Sequence, residues 1–179
     1  MKANQKRLFV PLMILLLCLN VTAISAQRPS SRKGANPPSK IPMLDAQVDD
    51  PQAVTAVEKL MQQTGQKYSY AGRGVWIVPR NGTNLGYFQV VVSLSGGTLV
   101  TQVTVVRGKG FSRVNEAAIP LLQLADRLEY VRVSLDKNNT VFVRNEARVK
   151  SLDLDQLVMN IDHVAAGADQ VSGEVKRFQ

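Results

Sequence analysis

Cysteine, histidine and tryptophan each occur only once in the 179 residues. The single cysteine, Cys18, lies in an apolar stretch near the N-terminus, so the rest of the chain can form neither an internal disulfide nor a thiolate metal site. A domain built from these residues must therefore be stabilised by its apolar core. At this length, a hydrophobic content of 45% supports such a core and excludes an intrinsically disordered chain.

Acidic residues are missing from the first 43 positions, which carry seven basic residues. The formal net charge of the whole chain is +8, whereas residues 44–179 hold 15 basic and 14 acidic side chains and have a net charge of only +1. The basic character thus belongs to the N-terminal region and not to the part that can fold. We therefore expect no specific nucleic-acid binding.

Residues 1–26 have the pattern of a secretory signal peptide, because a basic start precedes an apolar run over residues 8–19 and small side chains follow. Cleavage after Ala26 predicts an exported protein, periplasmic or secreted, that begins at Gln27. The alternative is an uncleaved N-terminal helix that anchors the chain. That alternative arises because residues 8–26 contain no charge and approach the ~20 apolar residues that span a bilayer.

Residues 27–43 are predicted to be a flexible linker, since they contain four prolines, three serines and few large apolar side chains. Its basic side chains are candidate contacts to a polyanion such as an anionic envelope surface, because such contacts need only charge. These candidates are Arg28, Arg32, Lys33 and Lys40. The alternative is a solvated linker without that role.

Residues 44–179 are predicted to form a single α+β domain. Asp50 followed by Pro51 is an N-cap and first-turn pair, so a helix is expected over residues 51–64. Short strands should follow around residues 67–70 and 75–78, the second ending near Pro79, with a loop over residues 80–84.

A β-hairpin is predicted over residues 86–94 and 98–106, with two glycines in its turn. A two-residue turn places Leu94 opposite Leu99 and keeps further apolar side chains on the same face, whereas a three-residue turn mixes the faces. The opposite face remains more apolar than an ordinary solvent-facing sheet surface. Its apolar members are Tyr87, Val91, Val100 and Val106.

Apolar residues at helical spacing predict a helix after residue 113 that either begins near Ala117 or is kinked at Pro120, because an interior proline removes one backbone hydrogen bond. A second hairpin should follow, with Val133 on its first strand and Phe142 pointing inward from its return strand. Asp153 is the predicted cap of a long final helix. The order α-βββ(β)-α-ββ-α with an antiparallel sheet is that of an α+β domain.

Five segments carry a resemblance to a known family: GYFQVVVSLSGG, TLVTQVTVV, NEAAIPLLQLADRL, YVRVSLDKNNTVFVRNE and LDLDQLVMNIDHVAAGADQV. In element order and hydrophobic pattern, roughly residues 51–171 resemble the class I type III secretion chaperone fold that YbjN-like proteins share. The resemblance implies a small domain that binds protein partners or pairs with itself, without catalysis or cofactor. The signal peptide departs from the cytosolic chaperones of that kind.

Few side chains suggest a catalytic or metal-binding role. His163 is expected to lie exposed on the final helix, with no nucleophile or orienting acid at a suggestive spacing. Asp155, Asp162 and Asp169 recur every seven residues, about 10.5 Å apart along a helix, which is too far to share one calcium ion. They are expected to form a solvated acidic flank, or a site for a basic segment. We predict no catalytic, metal or cofactor site.

The preferred hypothesis is an exported, non-enzymatic module that binds a protein or peptide partner through the mixed sheet face of Tyr87, Val91, Val100 and Val106. Pairing with a second copy of itself through that face or through the middle helix also fits. The alternative is that a helix, formed by residues 51–64, covers that face. A second hypothesis is an envelope-surface protein docked through its basic linker. A third, an envelope hydrolase, depends on His163.

Overall fold

The computed structural model describes residues 50–108, 111 and 113–179. In these residues the elements follow the order α-ββββ-α-ββ-α, so the predicted α+β class is confirmed. The helices are α1 (Pro51–Gln63), α2 (Val114–Arg127) and α3 (Leu154–Val175). The strands are β1 (Ser69–Gly72), β2 (Val75–Gly82), β3 (Gly86–Ser95), β4 (Thr98–Val106), β5 (Arg132–Leu135) and β6 (Val141–Arg148).

The predicted signal peptide, the linker and residues 44–49 lie outside the described residues. Within the described part of the chain, no helix combines the length and the apolar character that crossing a membrane requires.

The first and last helices begin where their caps predict. The carboxylate of Asp50 accepts hydrogen bonds from the backbone N–H of Gln52 at 2.9 Å and of Ala53 at 3.2 Å. Asp153 accepts from the N–H of Gln156 at 2.8 Å in the same way. Each cap supplies an acceptor for first-turn N–H groups that have no partner inside the helix.

The six strands form one antiparallel sheet in the order β1-β2-β3-β4-β6-β5. The β3–β4 hairpin has the predicted register, with Leu94 opposite Leu99 and Val92 opposite Thr101. Gly96 and Gly97 both have positive φ, at 53° and 77°, as a tight two-residue turn requires. The turn and the apolar alternation therefore select the same register.

Strand β2 is longer than predicted and continues through Pro79 to Gly82. Because β1 pairs with β2 only as far as Ile77, Pro79 lies where one edge of β2 is unpaired. An edge position tolerates the missing proline N–H. The expected loop over residues 80–84 is accordingly shorter.

Helix α2 begins at Val114 and contains Pro120 in its interior, so of the two predicted alternatives the later start near Ala117 is wrong. Its buried residues Ala117, Leu121 and Leu124 lie on both sides of the proline. Burial of this apolar stripe offsets the hydrogen bond that proline removes, since most helix stability in proteins comes from tertiary packing.

The second hairpin differs from its prediction in which residues point inward. Val141 and Val143 are buried, whereas Phe142 lies on the opposite face and is half-buried. Val143 pairs with Val133, and both side chains lie on the helix side of the sheet. The aromatic side chain is larger, but strict alternation along β6 allows only one of the two sets to enter the core.

Candidate functional site

All three helices lie on the same face of the sheet. Helix α3 packs against β2, β3, β4 and β6, and both α1 and α2 pack against α3. Glu58 of α1 accepts a hydrogen bond from Nε1 of Trp76, whose ring is fully buried on this side. Helix α1 therefore does not cover the mixed sheet face, and no other helix of the described residues does.

The open face of the sheet, opposite the helices, carries three of the four predicted partner-binding residues. Tyr87, Val91 and Val100 lie on this face. In the register of the sheet, Val91 pairs with Ile77 and Val100 pairs with Ser93. Tyr87 is 64% exposed, whereas the two valines are half-buried among neighbouring strands. These side chains are uncovered by the described helices, and Gln102, Ser93 and Glu146 lie beside the two valines on the same face.

Val106 does not belong to the open face, so that part of the prediction is wrong. A β-bulge between Thr104 and Val106 adds one residue to β4, and Val106 consequently lies opposite Val141, which points into the core. The prediction assumed unbroken alternation along β4.

A second apolar surface lies between α2 and β5. A groove of about 260 Å³ separates them. Two large apolar side chains of its lining remain exposed, namely Leu122 at 71% and Leu135 at 52%, whereas Ile119 of α2, exposed at 67%, does not line it. The groove is lined by Val114, Ala118, Leu121, Leu122 and Ala125 of α2 and by Val133, Ser134, Leu135 and Val141. We call this surface the α2–β5 groove.

Strand β5 borders the groove and is an edge strand, paired only with β6 in the described sheet. Its outer edge presents backbone N–H and C=O groups that another strand can pair with. The sequence indicated this surface in part, because apolar residues of α2 extend beyond the narrow buried stripe to Ala118 and Leu122. That signal alone does not distinguish a wide core face from an exposed one.

At the opposite edge of the sheet, Glu58 organises a cluster of aromatic residues. Its carboxylate accepts from Nε1 of Trp76 and from the hydroxyl of Tyr68 at 2.8 Å. Burial raises the pKa of Tyr68, and the hydrogen bond to Glu58 raises it further. The ring of Tyr70 lies 5.5 Å from that of Trp76. This cluster attaches α1 to the sheet and is a structural feature.

The three aspartates of α3 do not form a uniform solvated flank. Asp162 pairs with Arg80 at 2.8 Å. Asp169 instead accepts hydrogen bonds from the backbone N–H groups of Thr83 at 3.1 Å, Asn84 at 2.7 Å and Leu85 at 2.8 Å. Burial by itself raises the pKa of Asp169, but these hydrogen bonds outweigh that effect and hold the pKa below its ordinary value. Asp169 thereby fixes the β2–β3 turn to α3.

His163 is half-buried rather than exposed, which corrects the prediction. Its ring stacks on that of Tyr130, with the centroids 5.1 Å apart. Tyr130 precedes β5 and was outside the helical pattern that suggested an exposed histidine. Among the described residues, no group of three histidine, cysteine, aspartate or glutamate side chains could hold a metal ion.

The candidate polyanion contacts Arg28, Arg32, Lys33 and Lys40 lie outside the described residues. Their proposed role stays a prediction.

Solved structures share this arrangement of helices and strands. One chain of the ExoU–SpcU heterodimer, from the type III secretion system of Pseudomonas aeruginosa, aligns with a TM-score of 0.51 at 15% identity, over 68% of this chain and 98% of that chain. YbjN of E. coli aligns with a TM-score of 0.46 at 15% identity, over 69% and 89%. The Yersinia pestis type III secretion chaperone SycH, solved with a fragment of YscM2, aligns with a TM-score of 0.41 at 12% identity, over 71% and 99%.

The chain therefore has a type III secretion chaperone-like α+β fold, as the element order predicted. No protein-family model and no curated protein matches it. At these identities the alignments concern the fold alone, so function must be argued from the surfaces.

Proposed function

We propose that this protein is a non-enzymatic module that binds a segment of a partner protein in the α2–β5 groove. The observation that carries this proposal is the pair Leu122 and Leu135, which are 71% and 52% exposed and line one groove. Large apolar side chains gathered in one patch typically mark a binding surface, whereas scattered ones need no explanation.

The chemistry of the groove supports a protein ligand. Its lining is almost entirely aliphatic, so it gains free energy by burying apolar side chains, at about 25 cal/mol per Å² removed from water. The free edge of β5 adds backbone hydrogen bonds of the kind that an extended peptide uses when it joins a sheet. A second copy of the chain is the competing occupant, and the open face of the sheet is a second candidate surface.

We expect Leu122→Asp and Leu135→Asp each to reduce partner binding by about tenfold or more, because each variant places a charge in an apolar contact. The measurement is quantitative capture of proteins from a native-host extract by the immobilised full chain, together with the mass of the chain in solution. Met159→Asp is the matched control, since Met159 is 44% exposed on α3 and does not line the groove.

Four outcomes of this experiment are informative, with Tyr87→Asp included as a variant of the open face. Loss of the same partners in both groove variants, with Met159→Asp unchanged, supports the proposal. A solution mass that doubles in the unsubstituted chain and returns to one copy in the groove variants identifies a second copy as the occupant. Unchanged capture and mass in both groove variants contradict the proposal, and a loss confined to Tyr87→Asp assigns binding to the open face.

We propose in addition that the chain is exported and that residues 1–26 are removed. The basic start, the apolar run over residues 8–19 and the small residues before Gln27 support this step. The chain purified from its host is expected to begin at Gln27, which intact-mass measurement checks. A mass that retains residues 1–26 in a membrane fraction would instead indicate an uncleaved anchor.

A further inference from the structure

Two arginines lie directly opposite each other at the start of β5. Arg132 of β5 pairs with Arg144 of β6, so both side chains lie on the open face of the sheet. Like charges directly opposite each other in a sheet are destabilising. In the described residues the pair has one acidic neighbour, Glu146, at 3.6 Å from Arg144, and Arg132 forms no ion pair there. The site therefore has an uncompensated charge of +1.

One donor of this pair lacks an acceptor. The Nε of Arg144 is buried, and it has no hydrogen-bond partner among the described residues. A buried donor without an acceptor is unfavourable, and more so when the group is charged. The Arg144 side chain as a whole is 41% exposed, so an oxygen anion that contacts the accessible part of both guanidinium groups removes the repulsion.

The surroundings form a concave site. A cavity of about 300 Å³ is lined by residues 130–132 and 144–146. At its rim, Tyr130 has φ of +63°, a left-handed conformation that is strained for a bulky residue. The structure imposes this conformation, because Asn145 donates a hydrogen bond to the carbonyl of Tyr130 and the tyrosine ring stacks on His163. Strain maintained in this way is often found at binding sites.

We propose that Arg132 and Arg144 bind a carboxylate carried by an acidic side chain of the partner segment. This inference rests on the proposed function, because Arg132 and the groove residues Val133 and Leu135 belong to the same strand. Successive side chains of a strand point to opposite faces. A segment that pairs with the outer edge of β5 therefore places alternate side chains in the α2–β5 groove and, on the open face, beside Arg132, which Arg144 adjoins on β6. The sequence of that segment alternates apolar with acidic residues.

Charge favours this ligand over the other candidates. A carboxylate neutralises the +1 charge of the site, whereas a phosphate dianion leaves it negative beside Glu146. A second copy of the chain brings another Arg132 and no acidic residue within β5. The partner is thus a different protein with an acidic and apolar alternating segment.

Two short synthetic peptides test the proposal with the full chain. In one peptide valine alternates with glutamate, and in the other glutamine replaces each glutamate. We expect the glutamate peptide to bind about tenfold more tightly, as a charge-assisted hydrogen bond would produce. Arg132→Gln and Arg144→Gln should each reduce this preference to about twofold or less. The measurement is titration calorimetry, with circular dichroism to confirm that each variant is folded.

Arg148→Gln is the matched control, because Arg148 lies on the same face of β6 but pairs with Thr98, away from β5. It should leave the preference unchanged. The carboxylate site is wrong if both peptides bind equally, if neither binds, or if Arg148→Gln removes the preference as completely as the other two variants. The proposed function is judged separately, since Leu122→Asp should weaken both peptides to the same degree while preserving their ratio.

Discussion

Replacing Trp76 with alanine is expected to lower the free energy of unfolding by about 3–5 kcal/mol, as large-to-small substitutions of buried aromatic residues do. The side chain is fully buried between the sheet and α1, and its Nε1 donates to Glu58. The alanine variant leaves a cavity and deprives Glu58 of a donor. Because small domains are stable by only about 5–15 kcal/mol, this one change removes a large share of the total.

Urea unfolding followed by far-ultraviolet circular dichroism measures the loss, since Trp76 is the only tryptophan and its fluorescence disappears with it. Trp76→Phe should lose an intermediate amount of unfolding free energy, because phenylalanine keeps most of the ring volume but lacks the N–H donor. Tyr87→Ala is the control on the open face and should change stability by less than about 0.5 kcal/mol. Equal losses in the free energy of unfolding for Trp76→Ala and Tyr87→Ala would contradict the packing described for α1.

Replacing Asp169 with asparagine is expected to lower the free energy of unfolding by about 2 kcal/mol at neutral pH. The carboxylate accepts three backbone N–H groups of residues 83–85, and hydrogen bonds to a charged acceptor are worth about 1.5–3 kcal/mol. We expect a loss toward the lower end of this range because the carboxylate of Asp169 is partly exposed. Asp162→Asn, one heptad away on α3, removes an exposed ion pair with Arg80 and should cost no more than about 1 kcal/mol.

The Asp169 contribution has a defined pH dependence. Its hydrogen bonds hold the folded-state pKa below the ordinary value, so the folded chain binds fewer protons than the unfolded chain as the pH falls. The stabilisation is complete above the unfolded pKa, about 3.9, and is lost as the pH falls through the folded pKa. The difference in the free energy of unfolding between the unsubstituted chain and Asp169→Asn should therefore be constant near neutral pH and shrink below about pH 4. A difference that stays constant down to the acid unfolding transition would show that the carboxylate charge is not involved.

Local signals predicted most of the elements because their causes lie within a few residues. The capping carboxylates of Asp50 and Asp153 bond to N–H groups two or three positions away. The glycine turn likewise determines the register of the hairpin between β3 and β4. Local reasoning was wrong where a distant partner decides the outcome. Pro79 remains in a strand because β1 ends early, and the bulge in β4 turns Val106 toward Val141.

The candidate surfaces were less predictable than the fold. The mixed face was identified from alternation in β3 and β4, but whether α1 covers it depends on the packing of Trp76 against Glu58, 18 positions earlier in the chain. The arginine pair was missed, and of the α2–β5 groove only the middle helix was identified, as a surface for self-pairing. Arg132 and Arg144 are 12 positions apart, and only the pairing of β5 with β6 brings them opposite each other.

The sequence by itself determined the α+β class, the order of the elements, the register of the glycine hairpin and the near-neutral charge of residues 44–179. These features follow from periodicity, capping and composition, which are properties of short segments or of the whole chain. Only the tertiary structure decided which apolar side chains remain exposed and which charges meet. Exposure and charge pairing depend on residues that are distant in sequence, such as Asp169 and the turn it fixes 84 to 86 positions earlier.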